Sequence, residues 1–597
     1  MSTLKRYLAI SCLLAGIPPS QAQAGDSRLD GVFGDAFYTI IEAAPADSQF
    51  DVLVAFDNDG ADVRQLAKKA TGRQERYSQV ARLLHEKASR TSMPSLSARV
   101  TVRKDYWIVD MTRVVTNRAG LVELAQDSRI SRIYPNIEVE LIAPVSAGYS
   151  EGTAAADATG AQANLDVIGA KAAWSAGITG KGRIVASIDT GVEGIHPALK
   201  SNWRGLQGDT AASWFDPLGG ASPTDNNGHG THVMGVMVGH DGADTIGLAP
   251  DAQWINAAVI DRGRSLGTTI ADIIDALEWV ADPDRNPSTT GDVPDVVCNS
   301  WGVTQQIINP CDDVFFEAIE NVEALGIVCV FAAGNEGPNS STMRNPADRA
   351  ATPTSSFSVG AVDGTLSGFP VPSFSSRGPS ACYGSAIKPE IAAPGVAIRS
   401  SYKNLTYRTM NGTSMAAPHV AAAVALLRQY NPDLTPEEIK QVLLETAVDI
   451  GDPGEDNASG KGLINIAAAL AAVAPPTTPL VTMAGQSVDI NGDAVASPGE
   501  TIDLVVSLSA AGAAANNLTG QLVALTPGVT ITDATVAFGT IPVGGTIANS
   551  IDPFTIALGG NLPIGDSIRF ELTLTGDPLL GNWSEEISLI CGLPESG

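Results

Sequence analysis

Arg183-Ile184-Val185-Ala186-Ser187-Ile188-Asp189-Thr190-Gly191 decides how this chain is read. A short run that is apolar and β-branched without alternation belongs to a strand buried on both faces, as in parallel sheets covered by helices on each side. The run ends on Asp189, and the carboxyl ends of parallel strands open into the crevice where α/β sheets place their sites. Forty residues on, Asn227-Gly228-His229-Gly230-Thr231-His232 leads into Val233-Met234-Gly235-Val236-Met237-Val238. Glycines on either side of His229 let backbone come close and leave the imidazole accessible. Further on, Asn411-Gly412-Thr413-Ser414-Met415-Ala416-Ala417-Pro418-His419 opens an Ala/Val/Leu helix running to Arg428. Ser414 stands at its N-terminal end, where backbone N–H groups and the helix dipole favour negative charge.

Serine is a weak nucleophile until a base takes its proton, and the base needs a carboxylate to fix its tautomer. Asp189, His229 and Ser414 supply those types in the chain order found in subtilisin. With these motifs, residues 165–473 closely resemble the catalytic domain of the subtilisin-like serine peptidases, the bacillopeptidase F branch most of all. The resemblance implies Asp189 as orienting acid, His229 as general base and acid, and Ser414 as nucleophile. Val328-Cys-Val-Phe-Ala-Ala-Gly-Asn335-Glu-Gly337 resembles the family's oxyanion segment, which makes Asn335 a donor to the developing oxyanion. Loss of that donor from subtilisin costs about 2.7–4 kcal/mol. Val297-Cys-Asn-Ser300-Trp301-Gly302 resembles the strand that pairs with substrate backbone; with Ala332, Ala333 and Gly334 it would wall the specificity pocket. His196 and His232 read as structural. Gly177-x-x-Gly180-x-Gly182 precedes a strand and opens no helix, so it is not a dinucleotide loop. Many subtilisins carry an Asn-rich calcium loop after the His motif, whereas residues 239–244 here read Gly-His-Asp-Gly-Ala-Asp; Asp241 and Asp244 read as a solvated turn.

The 597 residues exceed one ordinary domain several-fold. With 44% hydrophobic and 17% charged residues the chain is globular. Lys plus Arg is 37 against 65 Asp plus Glu, a charge of -28, which argues against nucleic acid or an anionic membrane face as a partner. The acidity is concentrated at -18 in residues 151–473 and -11 in 474–597. Residues 1–24 have the form of a signal peptide: Lys5 and Arg6, an apolar stretch over 7–17, and Ala22-Gln23-Ala24 as a small-residue exit. The stretch is too short to span a bilayer, so a secreted protein without a transmembrane helix is expected.

Residues 25–150 alternate strand patterns (51–56, 106–111, 130–141) with helix patterns (62–85, 118–127), a small α+β module. The resemblance makes this module an inhibitor and chaperone propeptide whose tail, 137–144, lies in the substrate cleft until cut between about 142 and 160. The resemblance implies that residues 151–473 form the α/β peptidase domain, a three-layer parallel-sheet fold, and 474–479 read as a Pro-rich linker. Residues 480–597 show short Val/Ile/Leu/Thr runs parted by turn residues, an immunoglobulin-like β-sandwich. There Asp489, Asn491, Asp493 and Glu500 have the spacing of calcium ligands. No other cofactor is called for. Five cysteines follow the signal: Cys298, Cys311, Cys329, Cys382 and Cys591, enough for at most two bridges with one free thiol, for which Cys329 in its apolar run is the foremost candidate. The expectation is a self-processing, monomeric serine endopeptidase acting on proteins and peptides. The alternative is a surface adhesin whose peptidase domain serves maturation.

Overall fold

The computed structural model describes residues 32–33, 37, 40–41, 43–45, 47–56, 60–70, 72–91, 98–146, 152–153, 160–207, 209–261, 267–305, 309, 311–474, 479–489, 496–577 and 583–592. The expected signal peptide lies outside them. The chain divides into two units, 1–473 and 474–597.

In the first unit a seven-stranded parallel sheet has the order Ile391–Pro394, Phe357–Val362, Val328–Ala332, Val296–Asn299, Ile184–Asp189, Gln253–Ala258, Trp214–Phe215. Side chains alternate across each strand, so the continuous apolar runs feed two cores. Val185, Cys298, Val328 and Val330 point to the core shared with helices His229–Val238 and Thr413–Tyr430. Ala186, Ile188, Val297, Cys329 and Phe331 point to the core of helices Ile270–Ala281 and Phe316–Ala324. Three layers result, with strand Ile184–Asp189 near the centre and its carboxyl end under both motif helices.

The N-terminal module is a four-stranded antiparallel sheet ordered Val100–Asp105, Met111–Asn117, Gln49–Phe56, Ile130–Pro135. Helices Ala61–Lys69, Arg73–Thr91 and Arg118–Gln126 belong to it. Three details correct the expected pattern. The helix expected over 62–85 is two, because Ala70 is extended before Gly72. Residues 106–110 are not a strand, and only Met111 of the expected stretch is in one: Tyr106, Ile108 and Val109 are buried in a hairpin turn docked on helices Ile270–Ala281 and Phe316–Ala324, where Asn321 Nδ2 donates to Ile108 O at 2.8 Å and Trp107 N–H to Glu278 Oε2 at 2.7 Å. Their apolar character serves docking. The stretch 130–141 leaves its sheet after Pro135 and forms a separate short strand, Glu140–Leu141.

The module and the seven-stranded body meet through opposite charges: Arg64 with Glu320, Arg73 with Asp295, and Lys104 with Asp275 and Glu278. Arg73 Nη2 also donates to the carbonyls of Val293 and Pro294 at 3.1 and 2.8 Å. Cys311 and Cys382 form a disulfide; Cys298, Cys329 and Cys591 are buried free thiols, so one bridge forms where two were allowed.

The second unit is all-β. Leu480–Asp489, Thr501–Ala511, Phe554–Leu558 and Val529–Asp533 form one antiparallel sheet, and Thr535–Ile541, Ala515–Ala524, Ser567–Asp577 and Trp583–Ile590 form another. Alternate residues, among them Leu504, Val506, Leu522, Phe554, Phe570 and Leu572, fill one core.

Candidate active site

The parallel strand ends on Asp189, and the helix that starts at His229 is brought against it. A Cβ on Gly230 would stand 2.1 Å from Gly191 O and 3.1 Å from the Asp189 side chain, so only glycine allows the approach. His229 Nδ1 pairs with Asp189 Oδ1 at 2.8 Å, both side chains fully buried. Asp189 Oδ1 also accepts the Thr190 N–H at 2.7 Å. The carboxylate thereby assigns the proton of His229 to Nδ1 and leaves Nε2 as the basic atom. Among the described residues Nε2 has no hydrogen-bond partner.

Asp225 organises the loop in front of His229, a role not read from the sequence. Its Oδ1 accepts Thr190 Oγ1 (3.0 Å), Asn227 N–H (3.0 Å) and Gly228 N–H (2.8 Å); its Oδ2 accepts Thr231 N–H (3.0 Å) and Oγ1 (2.6 Å). The available signal was an Asp followed by Asn-Asn-Gly at a helix start, the signature of a side chain that caps local N–H groups.

Ser414 is the second residue of helix Thr413–Tyr430, and Pro418 has no N–H to offer the Ser414 carbonyl. Its Oγ donates to Ile142 O at 2.9 Å. Asn335 follows the strand ending at Ala332. Its Oδ1 accepts Thr413 N–H and Oγ1, each at 3.0 Å, which turns Nδ2 outward to donate to Ala143 O at 2.8 Å. Ser414 and Asn335 thus hold adjacent carbonyls of the segment 142–144.

That segment continues a strand laid along the cleft. Leu141 and Glu140 pair antiparallel with Trp301 and Gly302, and Ile142 N–H donates to Ser300 O at 3.2 Å. Val139 N–H donates to Thr268 O at 2.7 Å on the other side. Trp301 is buried between Phe315 and Phe331 and fixed by Nε1 on Asn299 Oδ1 at 3.1 Å, which holds the pairing strand rigid. Ala332 and Ala333 are buried on opposite faces; Gly334 N–H donates to Thr413 Oγ1 at 3.2 Å, tying the wall to the Ser414 helix.

His196, His232 and His419 are held in structural places. His196 accepts its own turn's Ala198 N–H at Nδ1 and pairs with Thr406 O. His232 Nε2 sits on Ile398 O and Arg408 O, and burial pushes it down to about 3. His419 is buried and pushed down to about 4.

The loop over 239–245 does not fit calcium. Asp244 is buried, contrary to the solvated turn expected, because the Arg399 guanidinium holds its carboxylate at 2.8 and 3.2 Å and Gln162 Nε2 donates at 3.0 Å. A fixed cation and an amide N–H occupy the surroundings a metal ion would need. Asp241 is exposed as expected and accepts Tyr407 OH at 3.1 Å. Of the sandwich candidates, Asn491, Asp493 and the Asp489 side chain lie outside the described residues; Glu500 accepts Ser497 N–H at 3.3 Å. Elsewhere Asp282, Asp284 and Asp292 bring carboxylate oxygens within 4.8 Å of one another, a spacing open to a shared cation.

Residues 180–462 match the profile described as Subtilase family. The chain is 38% identical over 413 residues to Bacillopeptidase F of Bacillus subtilis (strain 168), covering 65% of this chain and 27% of that protein. It is 36% identical over 311 residues to Serine protease AprX of the same organism, covering 48% of this chain and 66% of AprX. It is 33% identical over 302 residues to Subtilisin Savinase of Lederbergia lenta, covering 50% of this chain and 95% of Savinase. The chain therefore spans less than two thirds of the first two relatives.

Proposed function

The chain belongs to the subtilase family, and from that membership we propose that it is a secreted serine endopeptidase that processes itself and then hydrolyses protein and peptide substrates. Asp189 orients His229, His229 Nε2 takes the proton of Ser414, and Ser414 Oγ attacks the carbonyl carbon. Asn335 Nδ2, with the Ser414 N–H, binds the oxyanion that forms. His229 then protonates the leaving amine, and water activated by the same imidazole hydrolyses the ester. No cofactor takes part.

The observation that carries the proposal is the segment 139–143 lying across these groups, with Ser414 Oγ on Ile142 O and Asn335 Nδ2 on Ala143 O. The N-terminal module acts as the intramolecular inhibitor, and the bond cut is Ile142–Ala143. Strand register supports that choice: Glu140 faces Gly302 and Ile142 N–H meets Ser300 O, which leaves the Ile142 carbonyl at the nucleophile. The neighbouring bond would expel the ring nitrogen of Pro144, a crowded leaving group. Asn335 moves from the Ala143 carbonyl to the Ile142 oxygen as the tetrahedral centre forms. The adhesin alternative gains nothing from these relatives, which are named as a peptidase, a protease and a subtilisin. Among the described residues no helix is long and apolar enough to cross a membrane. Export in monomeric form, by the leader over 1–24, completes the proposal.

A serine-directed fluorophosphonate tests the assignment. The processed protein should be labelled once, on Ser414, with casein turnover lost in proportion; labelling elsewhere with turnover intact would refute it.

A further inference from the structure

Arg344 lies in the loop after Asn335, and its backbone N–H donates to Ala333 O at 3.3 Å. A Cβ on Gly302 would come within 2.9 Å of Arg344 Cβ, and one on Gly334 within 3.2 Å of its Cγ. Its aliphatic stem therefore runs between the two glycines that wall the cleft. At its end, Nε and Nη2 bond Glu336 Oε1 at 3.0 and 2.6 Å. Glu336 Oε2 is taken by Asn335 N–H at 2.9 Å and Ser376 Oγ at 3.2 Å, so this carboxylate is fully committed. The remaining arm, Nη1, faces the bound strand. It reaches Leu141 O and Gly302 O at 3.4 Å each and stands 3.8 Å from Glu140 Oε2.

Arg344 is only 11% exposed, whereas Glu140 is 47% exposed. A fixed, largely desolvated cation thus meets a side chain that substrate supplies, a geometry in which an acidic group gains and a basic one is repelled. From this placement we infer that Arg344 is a specificity residue that selects an acidic side chain at the third residue before the scissile bond. The inference rests on the reading above, in which residues 139–142 stand in for substrate. Exposed ion pairs are worth little, so the preference is several-fold.

The test uses the self-processed protein and three quenched-fluorescence peptides built on the chain's own sequence Val-Glu-Leu-Ile-Ala, with Glu, Gln or Lys at the second position. Expected is a kcat/KM about 3–5 times higher for Glu than for Gln and about tenfold higher than for Lys, carried mainly by KM and shrinking with added salt. In Arg344→Met, which keeps the stem and loses the charge, the three values should converge. Equal kcat/KM across the three peptides in the wild type would overturn the specificity role while leaving the peptidase reading intact. No cleavage of any peptide by protein that also resists the fluorophosphonate would overturn the peptidase reading itself. If Arg344→Met fails to fold, the wild-type series and its salt dependence still decide.

Discussion

Asp225→Asn isolates what holds His229 in place. The carboxylate is 6% exposed and accepts five hydrogen bonds. In the amide, an N–H₂ replaces Oδ2 and faces the Thr231 N–H, which stays buried without an acceptor at a cost of about 1–3 kcal/mol. Thr231 Oγ1 can turn and accept instead. The three bonds on Oδ1 survive but lose charge assistance, roughly 0.5–1 kcal/mol each. The expected loss is about 3–5 kcal/mol, read as a lower urea midpoint by Trp fluorescence on a Ser414→Ala background that prevents self-digestion. In the active background kcat should fall about ten- to a hundredfold with little change in KM, because the loop, not the cleft, is disturbed. Asp241→Asn, on an exposed turn, is the control and should stay within about 0.5 kcal/mol. An Asp225→Asn protein as stable and active as that control would refute the reasoning.

Lys388 Nζ is fully buried between the carbonyls of Ser355 and Ser356 and the Glu390 carboxylate. Lys388→Met strands that carboxylate and should cost about 3–5 kcal/mol in the same urea assay. Replacing Cys311 and Cys382 by Ser opens a link across 71 residues and should cost about 2–4 kcal/mol, seen as a lower urea midpoint. Acid response divides between two kinds of buried group. His419 is pushed down to about 4, so between pH 6.5 and 4 the unfolded chain binds the extra proton and stability falls with acid. Asp348 is pushed up to about 6 by burial, so between pH 6 and 4 the folded chain holds the extra proton and stability rises with acid. Asp348→Asn should therefore steepen the acid loss by about 1.4 kcal/mol per pH unit between pH 6 and 4, and His419→Gln should flatten it by a similar amount, as measured by urea midpoints across that range.

The parallel sheet was legible because a strand buried on both faces writes itself as a continuous apolar run, and Ile184–Asp189 does so. The grouping of Asp189 and His229 was legible because local motifs, glycines above all, force backbone to approach there. What could not be read are features made by pairing distant segments. Residues 106–110 look like a strand because docking buries Tyr106, Ile108 and Val109. Asp244 looks solvated until Arg399, over a hundred residues later, covers it. Arg344 carries no local signal for its place between Gly302 and Gly334. Asp225 lay within reach of inspection, since a capping Asp before Asn-Asn-Gly is a local pattern.

The central claim is that Ser414 cuts its own chain after Ile142, and mass spectrometry with N-terminal sequencing of purified precursor tests it most directly. The account predicts that the wild-type precursor converts on incubation to a fragment beginning at Ala143, while Ser414→Ala stays intact under the same conditions. Conversion of the Ser414→Ala precursor at the wild-type rate would contradict it.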